Sequence, residues 1–574
     1  MNKKVKIGSG GVVAINDRQY KASGGQAEIY VVGNKAFKLY HDPVHTMLPL
    51  SKMKELGTIG NPQIIIPQDV VYDATTGKPL GYTTTYVDNV EPLLKLFTRT
   101  FKDAQNIDGT MIAELVKQMQ LVAMDVHKAQ CLIVDFNELN VLVNIGSSVL
   151  TPWFIDTDSY ATPSHKATAI MDSVRDRRVT VYDSSGAMHY NPDIMSDWFS
   201  WGILSFCLYC NIHPFRGAHN KYKPKDKQKQ MDDGVSVFHP GVRVPPSTND
   251  FNVIPKRHLD WFKDVFGNNQ RSVPPLPDSM QPICVPTQII IVKGTDKLAV
   301  VEVVAYTSHV LFVIQSMGVN YAVTKTHIYA DKKEILSWDK AQKVILCPAT
   351  DGTMVSATLK GTTVYFADMK SGVPFGSIQS KDVFQRNRAF YTTAGGKLVQ
   401  NSFTCLGTKI VHRTLELENV SQLTAKIYDG CIIQDLLGKK YLTLPYKQDA
   451  SFSKYIPALD GYRVIDAKGD KNIIVVLAEK AGKYSRFIIV FEKNYQSFEV
   501  REVADVSYDK INFAVLDNGL CMLLASPTEL ELFVKASVYE TMIDPPFDAD
   551  MPLFATPDGF FFILNNSIHQ IRKK

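Results

Sequence analysis

Val134-Asp-Phe-Asn-Glu-Leu-Asn-Val-Leu-Val143 decides how the first half of this chain is read. Asp135 and Asn140 stand five residues apart, and the string closes on an apolar run. Asp156 follows sixteen residues after Asn140, in Phe154-Ile-Asp-Thr-Asp-Ser-Tyr160, behind two bulky apolar residues. All three side chains offer hard oxygen donors. Phosphoryl transfer needs one carboxylate beside the attacking hydroxyl and two oxygen ligands for magnesium on the nucleotide phosphates. A D-x-x-x-x-N spacing alone arises by chance, so the neighbouring stretches carry the reading.

Upstream, Ala22-Ser-Gly-Gly-Gln-Ala-Glu-Ile-Tyr30 precedes Ala36-Phe-Lys-Leu-Tyr40, whose alternating apolar residues around Lys38 predict a strand. Met111 to Lys128 carries apolar Ile112, Leu115, Met119, Val122, Ala123 and Val126 at helical spacing and runs into the Asp135 string. Downstream, Ser196-Asp-Trp-Phe-Ser-Trp-Gly-Ile-Leu-Ser-Phe-Cys-Leu-Tyr-Cys210 is followed by His213-Pro-Phe215. In this order the stretches resemble the protein kinase family, in the wording of its divergent bacterial members, over roughly residues 15–280. The resemblance implies an α+β bilobal fold, with a first lobe to about residue 90 and a second to about 280.

It also implies roles. Asp135 would orient the acceptor hydroxyl and take its proton. Asn140 and Asp156 would hold Mg2+, with Asp158 as a possible second ligand. Lys38, paired with Glu55 from the predicted helix Leu50–Leu56, would fix the phosphates of ATP. Gly24 and Gly25 would let the loop close over them, with Ala22 and Ala27 at its other two glycine places and Ile29 against the adenine. Asp197 would accept backbone hydrogen bonds from the catalytic loop as structural support. Gly8-Ser-Gly-Gly11 reads as a decoy. Leu259 to Phe266 and Arg271 resemble the closing helices of the second lobe.

The departures also carry information. Ile133 and Val134 stand where the family has His and Arg, so a phosphate on the following segment lacks its usual partner. Asn137 replaces a Lys, Thr157-Asp158 replaces Phe-Gly, and no A-P-E string lies between Tyr160 and Ser196.

A net charge of +5 on 121 charged residues does not imply non-specific nucleic-acid binding, and 45% apolar content suffices for real cores. Lys221 to Lys229 reads as a solvated basic loop. Cys207 and Cys210 sit on the apolar helix without a second pair to complete a zinc site, so they read as core. No secretory signal or membrane span is evident, and the expected location is cytoplasmic, or intracellular in a host if phage- or virus-encoded.

Pro274 to Pro286 reads as a linker. Beyond it, residues 287–574 become short β runs such as Lys297–Val304, Thr362–Phe366, Asn472–Leu477 and Phe487–Phe491. Glycine turns at Gly352, Gly396, Gly430, Gly469, Gly519 and Gly559 recur 34 to 50 residues apart. A loose period near forty with several strands per unit predicts a β-propeller of six or seven blades. Tandem β-sandwiches are the alternative.

The expectation is therefore an ATP- and Mg2+-dependent Ser/Thr protein kinase whose partners are a protein substrate and an unidentified protein on the propeller, with no specific nucleic acid and no membrane. The alternative is a pseudokinase acting as a scaffold through its propeller. A small-molecule kinase is disfavoured by the D-x-x-S-x-G pattern at Asp197.

Overall fold

The computed structural model describes residues 3–276 and 294–574, except 9, 25, 147–148, 168, 183, 185–187, 224–225, 296, 338–342, 350, 370 and 408. The chain is multidomain and rich in antiparallel strands, with few helices. It divides into two compact units, one of Met1–Ile290 with Ala481–Lys483, the other of Ile291–Lys480 with Tyr484–Lys574. Residues 277–286 of the proline-rich stretch lie outside the described residues. Among the described residues, no helix is long and apolar enough to cross a membrane.

The first unit opens with a seven-stranded antiparallel sheet in the order Val12–Ile15, Lys3–Ile7, Val70–Asp73, Pro79–Thr85, Lys35–Tyr40, Ala27–Val32, Tyr20–Ser23. Strand Lys35–Tyr40 shows why its neighbours matter. Side chains alternate across a sheet. Phe37 and Leu39 enter one apolar cluster with Val5, Tyr20, Tyr30 and Val71. Tyr40 enters another, with Ala27, Leu48, Met53, Val70 and Tyr82. Lys38 shares the Tyr40 face. Gly81, paired with Leu39, is obligatory: a Cβ there would lie 1.9 Å from the Lys38 carbonyl oxygen.

Two long helices follow. Gly109–Lys128 is capped by Asp108, whose carboxylate accepts the Met111 N–H at 2.9 Å, and buries Ile112, Leu115, Met119, Val122 and Val126. Ile194–Cys210 is capped by Asp193 and is apolar all round, which suits a helix enclosed on every side. A Cβ on Gly202 would come within 2.8 Å of the Trp261 ring, so only glycine lets that indole approach. Cys207 and Cys210 are core, as expected. His213 is also structural: one ring nitrogen accepts the Phe215 N–H and the other donates to the Ser173 carbonyl. The basic stretch is not all loop, because a helix begins at Lys227 and runs to Asp232. A three-stranded sheet of Thr151–Phe154, Val141–Asn144 and Val90–Pro92 completes the frame of the site.

In the second unit the described strands form seven four-stranded antiparallel sheets. Six are meanders consecutive in sequence, from Val310–Ser316 through Glu540–Ile543. The seventh joins the two ends of the unit: Leu298–Ala305 pairs with Ser567–Lys573, followed by Gly559–Leu564 and Leu553–Thr556. Neighbouring sheets share cores. Val364 and Phe366 pack with Val383, Phe390 and Phe403 of the next sheet, and Ile433 and Leu444 with Ile474, Val476 and Phe487 of the sheet after theirs. Of the glycines read as turns, Gly469 lies instead inside strand Arg463–Asp470, where its carbonyl sits against Gly430; a Cβ on Gly430 would be 2.1 Å from that oxygen.

Candidate active site

The site is built on the loop that precedes strand Val141–Asn144. Val134 has φ +63°, a left-handed conformation that a β-branched residue adopts only when its surroundings enforce it. Asp197 supplies the enforcement. Its buried carboxylate accepts the Ile133 and Val134 N–H groups, both at 2.8 Å, and His127 Nε2 lies 2.9 Å from it. The loop that carries Asp135 thus takes two backbone contacts from Asp197. One turn on, Ser200 Oγ donates to the Val174 carbonyl at 2.8 Å, so the same helix anchors the segment that follows the site.

Strand register then gathers the oxygen donors. Val141 pairs with Phe154, and the Ile155 N–H donates to the Asn140 carbonyl at 2.9 Å, which sets Asn140 beside the strand end that carries Asp156. Asn140 Nδ2 donates to the Asp135 carbonyl at 3.1 Å and lies 3.3 Å from Asp135 Oδ2, which turns its amide oxygen away from Asp135. Asp135 Oδ1 accepts the Met171 N–H at 2.8 Å. Asn137 is buried and holds the loop from within, its Oδ1 accepting the Leu139 and Asn140 N–H groups, so it cannot take a lysine's place on a phosphate.

Lys38 reaches the same place from the sheet. Its Nζ lies 2.6 Å from Asp156 Oδ1 and 2.9 and 2.8 Å from the two oxygens of Asp158. Tyr82 and Tyr40 flank it, with ring centroids 5.8 and 6.0 Å from Nζ. The Tyr40 hydroxyl donates to Asp158 Oδ2 at 3.0 Å.

Glu55 does not pair with Lys38. It accepts the Ser164 N–H and faces His165 Nδ1, each at 3.3 Å. The helix Leu50–Leu56 instead directs Lys52 inward, and its Nζ donates to the Asp158 carbonyl at 2.7 Å. Sequence reading missed Lys52 because a lysine on a short helix reads as a solvated residue; its signal was the position one turn before Glu55.

The two carboxylates differ. Asp158 is 10% exposed and Asp156 46%. Burial raises the Asp158 carboxyl, but the Lys38 charge and the hydrogen bonds from Lys38 and Tyr40 outweigh it and hold the group down to about 2. For Asp156 the Lys38 charge pulls down, while burial and the adjacent Asp158 carboxylate together push it up. Burial alone would lower the Lys38 ammonium, but Asp156, Tyr82 and Asp158 hold it well above the usual lysine range.

In the hairpin read as a phosphate loop, Ala22 pairs with Ile29, and the Gly24 N–H donates to the Ala27 carbonyl at 2.9 Å. That donor is used within the turn and is not free for a phosphate. A Cβ on Gly24 would meet nothing closer than 4.0 Å, so the backbone there does not itself demand glycine. Ala27 is buried beside Tyr82 and Met53, and Ile29 pairs with Lys38. Gly25 lies outside the described residues.

The donor set suits magnesium held largely by phosphates and water. Asn140 and Asp156 offer two hard oxygens on adjacent strand ends, and magnesium on a nucleotide is commonly held by one or two carboxylates plus phosphates. Among the described residues no group of three or more His, Cys, Asp or Glu side chains forms an all-protein cage. No protein-family model matches this chain, and no curated protein is detectably similar to it.

Proposed function

We propose that the first unit is a protein kinase-like domain that uses ATP and Mg2+ to phosphorylate a Ser or Thr hydroxyl of a protein. The observation that carries this reading is the gathering of Asp135, Asn140, Asp156 and Lys38 from three separate stretches around a loop pinned by Asp197. The Asp135 carboxylate would orient a hydroxyl and accept its proton. Asn140 and Asp156 would hold magnesium, which when bound would neutralise charge on the phosphates. Lys38 would steady the α- and β-phosphates. The remaining donors in such a site come from the nucleotide and water.

The second unit, in this reading, is a seven-bladed β-propeller. Six meanders and a seventh sheet made from both ends of the unit, with cores shared between neighbours, support that architecture. Its exposed loops would dock the substrate or a regulator, which is an inference from architecture.

A second reading is a pseudokinase scaffold. It is favoured by the Met171 N–H, which takes one of the two Asp135 carboxylate oxygens. One experiment separates the two. The full chain is incubated with magnesium, γ-labelled ATP and a generic basic protein, beside Asp135→Ala and Asp156→Ala. Label incorporated by the wild type and lost by at least 100-fold in both variants is expected. An unlabelled wild type would overturn the kinase reading in favour of the scaffold.

A further inference from the structure

Lys38 is held by a residue other than the one its sequence context pointed to. Both oxygens of Asp158 lie within 2.9 Å of Lys38 Nζ, and the Tyr40 hydroxyl binds the second of them. The Asp158 backbone is fixed in turn by Lys52 Nζ. Asp158 stands two residues beyond Asp156, on the short 3-10 turn Thr157–Ser159, and Thr157 Oγ1 pins that turn to the Ile65 carbonyl at 2.9 Å. Glu55 is engaged elsewhere, by Ser164 and His165.

We propose that Asp158 is the positioning residue of this site: it holds Lys38 toward the phosphates and thereby frees Asp156, the more exposed carboxylate, for the metal. The proposal rests on the phosphotransferase reading for its purpose, but not for its geometry. The division of labour follows from charge. One ammonium faces two carboxylates, and the buried one takes both of its oxygens to the lysine. Were Asp156 to hold a divalent cation, Lys38 would still keep Asp158 as a full counter-ion. The lysine clamp and the metal ligand then share one turn, which Lys52 braces from helix Leu50–Leu56.

The test reads the lysine directly. The full chain is treated at pH 9 with a trace of acetic anhydride, an uncharged reagent that acylates a lysine only as its unprotonated amine, and labelling of each lysine is measured by peptide mass spectrometry. In the wild type Lys38 should label slowly. In Asp158→Asn it should label severalfold faster, because the ammonium loses the charged partner that meets it with both oxygens. Asp158→Glu should restore slow labelling, a rescue that loss of packing would not give. Glu55→Gln should match the wild type.

Lys102, buried and donating to the Leu208 carbonyl, is the internal control for folding. If Asp158→Asn exposes Lys102 as well, Glu55→Gln and Tyr40→Phe decide instead. Faster labelling in the first, or none in the second, overturns the proposal. Unchanged Lys38 labelling in a folded Asp158→Asn overturns it too. Mg-ATP added to the wild type tests the underlying reading separately: failure to protect Lys38 would count against the kinase reading while leaving the Asp158–Lys38 pair intact.

Discussion

Asp197 shows how much one side chain can carry. It is fully buried, and its carboxylate satisfies two backbone N–H groups on a loop whose Val134 is held at positive φ. Alanine would leave both donors buried and unpaired and remove the force that keeps Val134 strained. Each orphaned group costs about 1–3 kcal/mol. Asp197→Ala should therefore lose about 3 kcal/mol or more in urea unfolding of the first unit, with Asp197→Asn losing less because it keeps an acceptor. Asp158 supports a second prediction, in pH. Its folded pKa is depressed, from 3.8 to about 2, so its contribution is present above the unfolded value and is lost as pH falls through the folded one. Thermal melts of wild type and Asp158→Asn should differ most near pH 6 and converge between about pH 4 and about pH 2. A gap that persists unchanged to pH 2 would refute the linkage.

Among the elements, the strand pair Lys35–Tyr40 and Pro79–Thr85 sets where Lys38 points. The close approach at Gly81 makes that pairing sensitive to a single methyl group: a Cβ 1.9 Å from the Lys38 carbonyl forces the strands apart. Gly81→Ala should cost about 2 kcal/mol or more in chemical unfolding, in the range of overpacked cores, and should accelerate Lys38 acylation even while the protein stays folded. The strand carrying Lys38 was legible in the sequence because period-two alternation survives in a half-buried sheet. The helix Ile194–Cys210 was not legible by period, since it is apolar on every face, and it was found through its Asp197, Ser200 and Gly202 spacing instead. Glu55 was misassigned for a plain geometric reason. Lys52 and Glu55 lie three residues apart on one side of a seven-residue helix, and the tilt that turns Lys52 onto Asp158 is set by tertiary packing. The role of Asp158 was hidden likewise, because adjacency to Asp156 does not reveal the 3-10 turn that brings both carboxylates to one ammonium.

For the whole molecule, the period near forty was readable because each four-stranded sheet spends turn glycines at similar intervals, and positive φ at Gly352, Gly396, Gly430, Gly519 and Gly559 explains why glycine stands there. The joining of the two ends of the second unit was not readable, since it pairs Leu298–Ala305 with Ser567–Lys573 across most of the unit. That pairing removes two free sheet edges and makes the last sheet depend on the first strand. It is open to a direct test. Val301 and Gln570 are Cα partners in this ladder, and Val301 is exposed on its surface. Cysteines introduced by Val301→Cys and Gln570→Cys should oxidise to a disulfide that closes a loop of well over one hundred residues. Restricting the unfolded chain in this way stabilises by up to about 5 kcal/mol in the chain-entropy picture. The oxidised protein should then unfold at higher denaturant than the same protein reduced, with the gain confined to the transition of the second unit. A double variant that stays reduced under mild oxidant, with both thiols free to react with maleimide, would show that the two terminal strands are not neighbours.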